Sequence, residues 1–218
     1  MGVVVINVMK QYVSGLAPKN SAAARTQGNP NSKVKITEYI DFRCPACAKG
    51  VALLSQYLQA YPGKIYLEMK YFPLEGMHQH AIRSARYAEC AARQKNFWAF
   101  EDLLIIRQPQ WRGLMNADAF FQQIARDVKL DPIQLEACLT SDEVRGVISA
   151  EKDSGTQLGV QSTPTYFVNG KMVVGIKSLE EELKILLGGL PTAESPPVQQ
   201  SVEPQPITQP SFVPQTVP

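Results

Sequence analysis

From residue 34 the chain alternates between apolar and polar positions. Val34, Ile36, Glu38 and Ile40 fall on one face and Lys35, Thr37 and Tyr39 on the other, a period of two that predicts a strand. A short loop leads to Cys44 and Pro45, after which Ala48, Val51, Ser55, Leu58 and Tyr61 recur at helical spacing. Pro45 suits the first helical position, where its fixed φ fits and its missing N–H would be unpaired anyway. Pro62 and Gly63 end the helix and residues 64–72 read as a second strand. The unit is β-α-β, with the cysteines at the strand-to-helix junction.

Residues 74–158 lose the period of two. Asn96, Asn116, Asp131 and Ser141 stand as successive N-cap candidates, and Phe97, Phe100 and Leu104, then Phe120, Phe121, Ile124 and Val128, form apolar stripes at helical spacing. An all-helical segment is predicted here. Residues 165–168 and 171–174 are β-rich runs joined by Asn169-Gly170, a strong hairpin signal. Ser178 and Glu181 then read as a capping box before Leu179, Leu183, Leu186 and Leu187, with Gly188-Gly189 closing the helix.

The ends differ from this middle. Residues 17–33, rich in Ala, Ser, Asn, Gly and Pro, show no apolar period and read as an irregular lead-in. Residues 1–9 are apolar but too short to span a bilayer, and they lack the basic start of a signal peptide. They fit a stretch that follows a removed export signal, the remnant of a membrane anchor, or an N-terminal strand or helix packed on the domain. From Pro191 onward eight prolines and many Gln, Ser and Thr leave nothing to form a core, so a disordered Pro-rich tail is expected. The resulting division is 1–33 lead-in, 34–73, a helical insert at 74–158, 159–190, and a tail at 191–218.

A chain of 218 residues that is 44% hydrophobic can bury a core without covalent help, which leaves its cysteines free for chemistry. The net charge of +2, from 22 basic and 20 acidic residues with no basic run, argues against a nucleic-acid partner. Cys44 and Cys47 are a close pair, whereas Cys90 and Cys138 are 48 positions apart. The distant pair fits either a disulfide, which would point to an oxidising compartment, or two buried apolar thiols.

A Cys-x-x-Cys at a helix start sets the first thiol against unpaired backbone N–H groups and the positive end of the helix dipole, which favours thiolate. Cys44 is then the nucleophile, and Cys47, one turn deeper, can resolve a mixed disulfide. The same spacing makes half of many zinc sites, but no second close pair is present, so no metal is expected. Ser162-Thr163-Pro164-Thr165 precedes the hairpin. Local sequence alone favours an ordinary trans proline there. Glu38 shares a strand face with Val34, Ile36 and Ile40, an odd place for a carboxylate unless it is paired, functional or at a solvent-reaching edge. His78 and His80 read as surface loop residues.

The runs EYIDFRCPAC (38–47), KYFPL (70–74), ARYAECAARQKNFWAFEDLL and GVQSTPTYFVNG (159–170), in this order, resemble the DsbA-like branch of the thioredoxin superfamily, above all its bacterial envelope members. The resemblance extends over roughly residues 29–187. It implies an α/β thioredoxin fold with an all-helical domain inserted, Cys44 as exposed attacking cysteine, Cys47 as buried resolving cysteine, and a cis Thr163-Pro164 peptide facing the Cys44 sulfur. It further implies that Glu38 is the family's buried acid and that Cys90 and Cys138 form a structural disulfide; a buried carboxyl at Glu38 would have a raised pKa and could relay the Cys47 proton, and Lys70 on the adjacent strand is its candidate partner.

By the same resemblance the chain is a thiol–disulfide oxidoreductase outside the cytoplasm, in the periplasm or cell envelope. Its substrates would be unfolded or partly folded cysteine-containing exported proteins, and a membrane partner of the DsbB or vitamin K epoxide reductase type would reoxidise it. No cofactor beyond the cysteine pair is expected, and a monomer is the default. A disulfide-forming oxidase is the leading reading. The Pro45-Ala46 dipeptide departs from the Pro-His of the strongest oxidases, which keeps a reductase or isomerase as the alternative. A redox-inert peptide-binding module is a third, disfavoured by the intact cysteine pair.

Overall fold

A computed structural model describes residues 21–190, so the expectations for residues 1–20 and for the tail at 191–218 lie outside the described residues. Among the described residues five strands make one mixed sheet in the order β1-β3-β2-β4-β5. They are β1 (Thr26–Gly28), β2 (Val34–Ile40), β3 (Ile65–Tyr71), β4 (Thr165–Val168) and β5 (Lys171–Val174). β2 and β3 are parallel, and the helix α1 (Pro45–Ala60) crosses between them. β4 runs antiparallel to β2 with Glu38 opposite Tyr166, and β5 returns antiparallel to β4. Asn169 and Gly170 take positive φ, 50° and 85°, as a two-residue turn matched to strand twist requires.

Between β3 and β4 lie six helices: α2 (Ala81–Arg93), α3 (Phe97–Ile106), α4 (Gln108–Trp111), α5 (Asp118–Asp127), α6 (Pro132–Leu139) and α7 (Asp142–Gln157). The chain ends its described part with α8 (Gly175–Leu187). One sheet face, through Val34, Ile36, Leu67 and Val168, packs on Leu54 and Tyr57 of α1 and Leu179 and Leu183 of α8. The helical segment does not keep its core to itself. Phe97, Phe100, Leu104, Trp111 and Phe121 are continuous with Ile40, Phe42, Met69 and Tyr71 at the cysteine end of the sheet.

Asp131 and Ser141 cap α6 and α7 with their side chains, accepting from Gln134 N and Glu143 N. Asn96 stands at the α3 N-cap but makes no cap bond; its amide instead donates to the Val128 carbonyl. The capping box expected at Ser178 and Glu181 is not formed, because α8 starts a turn earlier at Gly175, directly after β5. The last residue of β5, Val174, is itself the N-cap of the helix.

The lead-in also differs from expectation. Residues 21–25 form a 3-10 turn and β1 adds an antiparallel edge strand to β3. What anchors them is a charge, which hydrophobic periodicity cannot register. Arg25, 1% exposed, forks onto both carboxylate oxygens of Glu151 at 2.6 and 2.9 Å, donates to the Met69 carbonyl and lies 4.4 Å over the Tyr71 ring. Glu89 closes the cluster by accepting from Ser21, Tyr71 and Arg93.

Cys90 of α2 and Cys138 of α6 are joined by a disulfide. Closing a loop across 48 positions restricts the unfolded chain by about 4 kcal/mol on the chain-entropy account, with measured losses commonly about 2–5 kcal/mol. Replacing both residues, Cys90→Ser with Cys138→Ser, is therefore expected to lower unfolding stability by about 2–4 kcal/mol in urea titrations. Cys44 alkylation should proceed at its original rate.

Candidate active site

The loop from Asp41 to Cys44 joins β2 to α1, and buried polar groups hold it. Asp41, 1% exposed, accepts from Arg43 N at 2.8 Å and Leu74 N at 3.0 Å, while its carbonyl takes the Cys44 N–H at 3.0 Å. His78 Nδ1 lies 2.8 Å from Asp41 Oδ2. Thus His78 is buried in the loop's support and is not a surface residue; His80 reaches the Leu114 carbonyl. Gln108 of α4 donates to the carbonyls of Phe42 and Cys44 at 2.7 and 3.0 Å, so the helical segment grips the loop directly.

Cys44 is the N-cap of α1, with extended backbone, and Pro45 and Ala46 begin the helix. The Thr163-Pro164 peptide is cis and sits against it, the Cys44 thiol donating to the Thr163 carbonyl at 3.4 Å. Pairing of β4 with β2 starts at Thr165, which leaves Thr163 and Pro164 beyond the ladder beside the sulfur. Both Cys44 and Cys47 are free thiols here.

The two sulfurs sit in opposite environments one helical turn apart. Cys44, 7% exposed, has its pKa lowered to about 5. The Cys47 thiol contributes most, followed by the Cys47 backbone N–H, the Thr163 hydroxyl and the Ala46 N–H, against an opposing effect of burial. Those backbone donors are the unpaired N–H groups of a helix N-terminus, as the motif requires. Cys47 is fully buried, and burial, then the Cys44 hydrogen bond and charge, push its pKa well above the ordinary thiol range. A charge on this pair belongs on Cys44.

Behind Cys47, Glu38 is fully buried on β2, and burial pushes its carboxyl up to about 8, against a smaller pull from the Tyr166 hydroxyl. Neither Glu38 oxygen closes a hydrogen bond of ordinary geometry. Tyr166 also explains Gly50 of α1: a Cβ there would stand 2.0 Å from the Tyr166 oxygen, so only glycine lets α1 lie this close to β4. Lys70 is not a partner of Glu38. It is registered opposite Tyr39, hence on the other sheet face, with its ammonium 3.7 Å from Glu68. The period of β3 excludes the pairing, because Met69 and not Lys70 lies opposite Glu38.

Asp41 and Glu101 lie inside runs that carry the resemblance but receive no role from it, and Gln108 lies outside those runs. Glu101 could have been found by the criterion that marked Glu38, since it lies on the Phe97 and Leu104 stripe of α3. Among the described residues no group of three or more His, Cys, Asp or Glu side chains is arranged to hold a metal ion.

Titrating the reduced protein by thiolate absorbance should give a Cys44 midpoint near 5, and Cys47→Ala should move it upward, because the largest lowering contribution is lost. Cys44 ionises more readily folded than unfolded. Its stabilisation is therefore complete above the ordinary thiol value of 9.0 and is lost as pH falls towards 5, while Cys47, shifted upward, changes nothing below 9.0. Denaturation of reduced against oxidised protein should show the difference shrinking across that window. Gln108→Leu leaves the Phe42 carbonyl unpaired and the Cys44 carbonyl with the Ala48 N–H alone, and should cost about 1–3 kcal/mol in the same measurement.

Comparison with known proteins places these features in a lineage. The chain is 29% identical over 165 residues to a Na(+)/H(+) antiporter NhaA 3 of Salinispora tropica, a match that takes in 76% of this chain but 24% of that protein. The match thus spans about a quarter of that relative's length. It is 28% identical over 167 residues to a probable disulfide bond formation protein D of Bacillus anthracis, covering 72% of this chain and 77% of the relative. Among solved structures, alpha-DsbA1 of Wolbachia pipientis superposes with a TM-score of 0.66 at 19% identity, over 80% of this chain and 93% of that one, and so shares the fold. A sequence model described as thioredoxin matches residues 20–187 continuously, from before β1 through α8, and on that match the chain belongs to the thioredoxin family.

Proposed function

We propose that this chain is a thiol–disulfide oxidoreductase of the DsbA type that forms disulfides in other proteins, with Cys44 as the exchanging sulfur and Cys47 as its internal partner. The single observation that carries this is the opposed pKa shift of two adjacent cysteines, Cys44 downward and Cys47 upward. In the oxidised enzyme a substrate thiolate attacks Cys44 Sγ. The Cys44–Cys47 bond breaks, a substrate–Cys44 disulfide forms, and the Cys47 sulfur takes up a proton from the Glu38 carboxyl. A second substrate thiolate then attacks the substrate sulfur of that mixed disulfide and expels Cys44 as thiolate. The substrate is oxidised by two electrons and the enzyme reduced.

A low pKa at Cys44 makes it a good leaving group and stabilises the reduced enzyme, which favours this direction. Thr163 and Pro164, standing beyond the β4 ladder, offer backbone to an extended substrate segment beside the sulfur. The pair needs no further cofactor. Substrates are cysteine-containing exported proteins in the cell envelope or periplasm, and a membrane oxidant of the DsbB or vitamin K epoxide reductase type removes the electron pair from the reduced enzyme. The chain acts as a monomer. The name of the Bacillus anthracis relative supports the disulfide reading, because the match covers most of that protein. Antiport is not proposed, since that match is confined to a quarter of the relative and no described helix is long and apolar enough to cross a membrane.

Equilibration in glutathione buffers tests the direction. An oxidase should give a potential near about −120 mV, whereas a value near about −270 mV would make the chain a reductase.

A further inference from the structure

Between α1, α3 and the sheet lies a cavity of about 230 Å³. Glu38 forms part of its floor and Glu101 of α3 part of its wall, while Ser55, Gln59 and Asp102 are exposed at its rim. Glu101 is 1% exposed and its Oε1 has no hydrogen-bond partner, as is true of both Glu38 oxygens. Two buried carboxyls on one cavity with three oxygens lacking a partner are costly, and a fold that needed only packing at Phe97, Glu101 and Leu104 would have used an apolar side chain.

The space is polar on one side and large enough for several waters. The exchange reading gives the pair a task. Each opening of the Cys44–Cys47 disulfide draws one proton from Glu38, which is then a buried anion that must be reprotonated, and Glu38 itself has no exposed surface.

We propose that Glu101 is the second station of a proton path, passing protons between solvent at the Gln59 and Asp102 rim and Glu38, and through Glu38 to Cys47. This rests on the oxidoreductase reading. In the opening step Glu38 gives its proton to the Cys47 sulfur, Glu101 gives its proton to Glu38, and solvent restores Glu101; resolution of a mixed disulfide runs the same transfers backwards. The charged and titratable groups facing Glu101 are Glu38 from β2 and Asp102 on its own helix, with Cys47 and Tyr166 behind Glu38, and no Lys, Arg or His lines the cavity among the described residues. Burial, then the charges of Asp102 and Glu38, hold the Glu101 carboxyl well above its ordinary range, so the two acids do not ionise together.

The test is stopped-flow oxidation of the full reduced chain by oxidised glutathione. The first phase is attack by the Cys44 thiolate and depends on glutathione concentration; the second is resolution by Cys47, which must release its proton, and is independent of it. Glu101→Gln, nearly isosteric, should leave the first phase within about twofold and slow the second about tenfold at neutral pH, with a displaced pH profile, a modest share of the effect of acid–base assistance. Glu101→Asp should recover most of the rate. An unchanged second phase overturns the proposal, and so does an equal fall in both phases accompanied by a loss of Tm, which would make Glu101 structural. If the unsubstituted chain shows no rapid first phase, the oxidoreductase reading itself falls, and this inference with it.

Discussion

Two sulfur atoms one helical turn apart cannot share an environment in this protein, and most of the architecture follows from keeping them different. The N-terminus of α1 supplies donors to Cys44, and the same turn carries Cys47 into the region closed by Glu38 and the sheet. A thiolate is stabilised at the first position and penalised at the second, because a helix end presents unpaired N–H groups whereas an interior offers low dielectric. The Cys44 sulfur is thereby the one of the two on which a negative charge is favoured.

Such a contrast survives only on a fixed backbone. The loop from Asp41 to Cys44 is held from three sides: by Asp41 accepting from Leu74 and contacting His78, by Gln108 reaching from α4, and by the Thr163-Pro164 peptide. Two of these supports come from the helical segment between β3 and β4, and the third from the turn that leads into β4. The helices are therefore part of the machinery that positions the cysteines, and their core is continuous with the sheet. The Arg25, Glu89 and Glu151 cluster ties the start of the described chain to α2 and α7 around the end of β3. The Cys90–Cys138 disulfide fastens α2 to α6 beyond it.

Buried acids are the second theme. Glu38 and Glu101 are each placed where an apolar residue would be less costly, and both open onto one cavity. Asp41 differs in being fully partnered, and its role is to hold backbone. The distinction between a satisfied and an unsatisfied buried carboxylate separates structural acids from those available for proton transfer.

The sequence by itself determined the strand from Val34, the helix opened by Pro45, the hairpin at Asn169-Gly170 and the place of the Cys44–Cys47 pair at a helix start, because these depend on periods, caps and turns that act over a few residues. It also marked Glu38, since a carboxylate on an apolar strand face is visible in the alternation. It misassigned the Lys70 pairing, the start of α8 and the irregular character of residues 21–28. Only the tertiary structure decided these, along with Asp41, Gln108 and Glu101, for a common reason. Each depends on which distant element lies opposite: Met69 and not Lys70 across from Glu38, Glu151 opposite Arg25, α4 over the Cys44 carbonyl. Side-chain partners more than a turn or two apart are set by how the helices pack on the sheet, and local spacing carries no record of that packing.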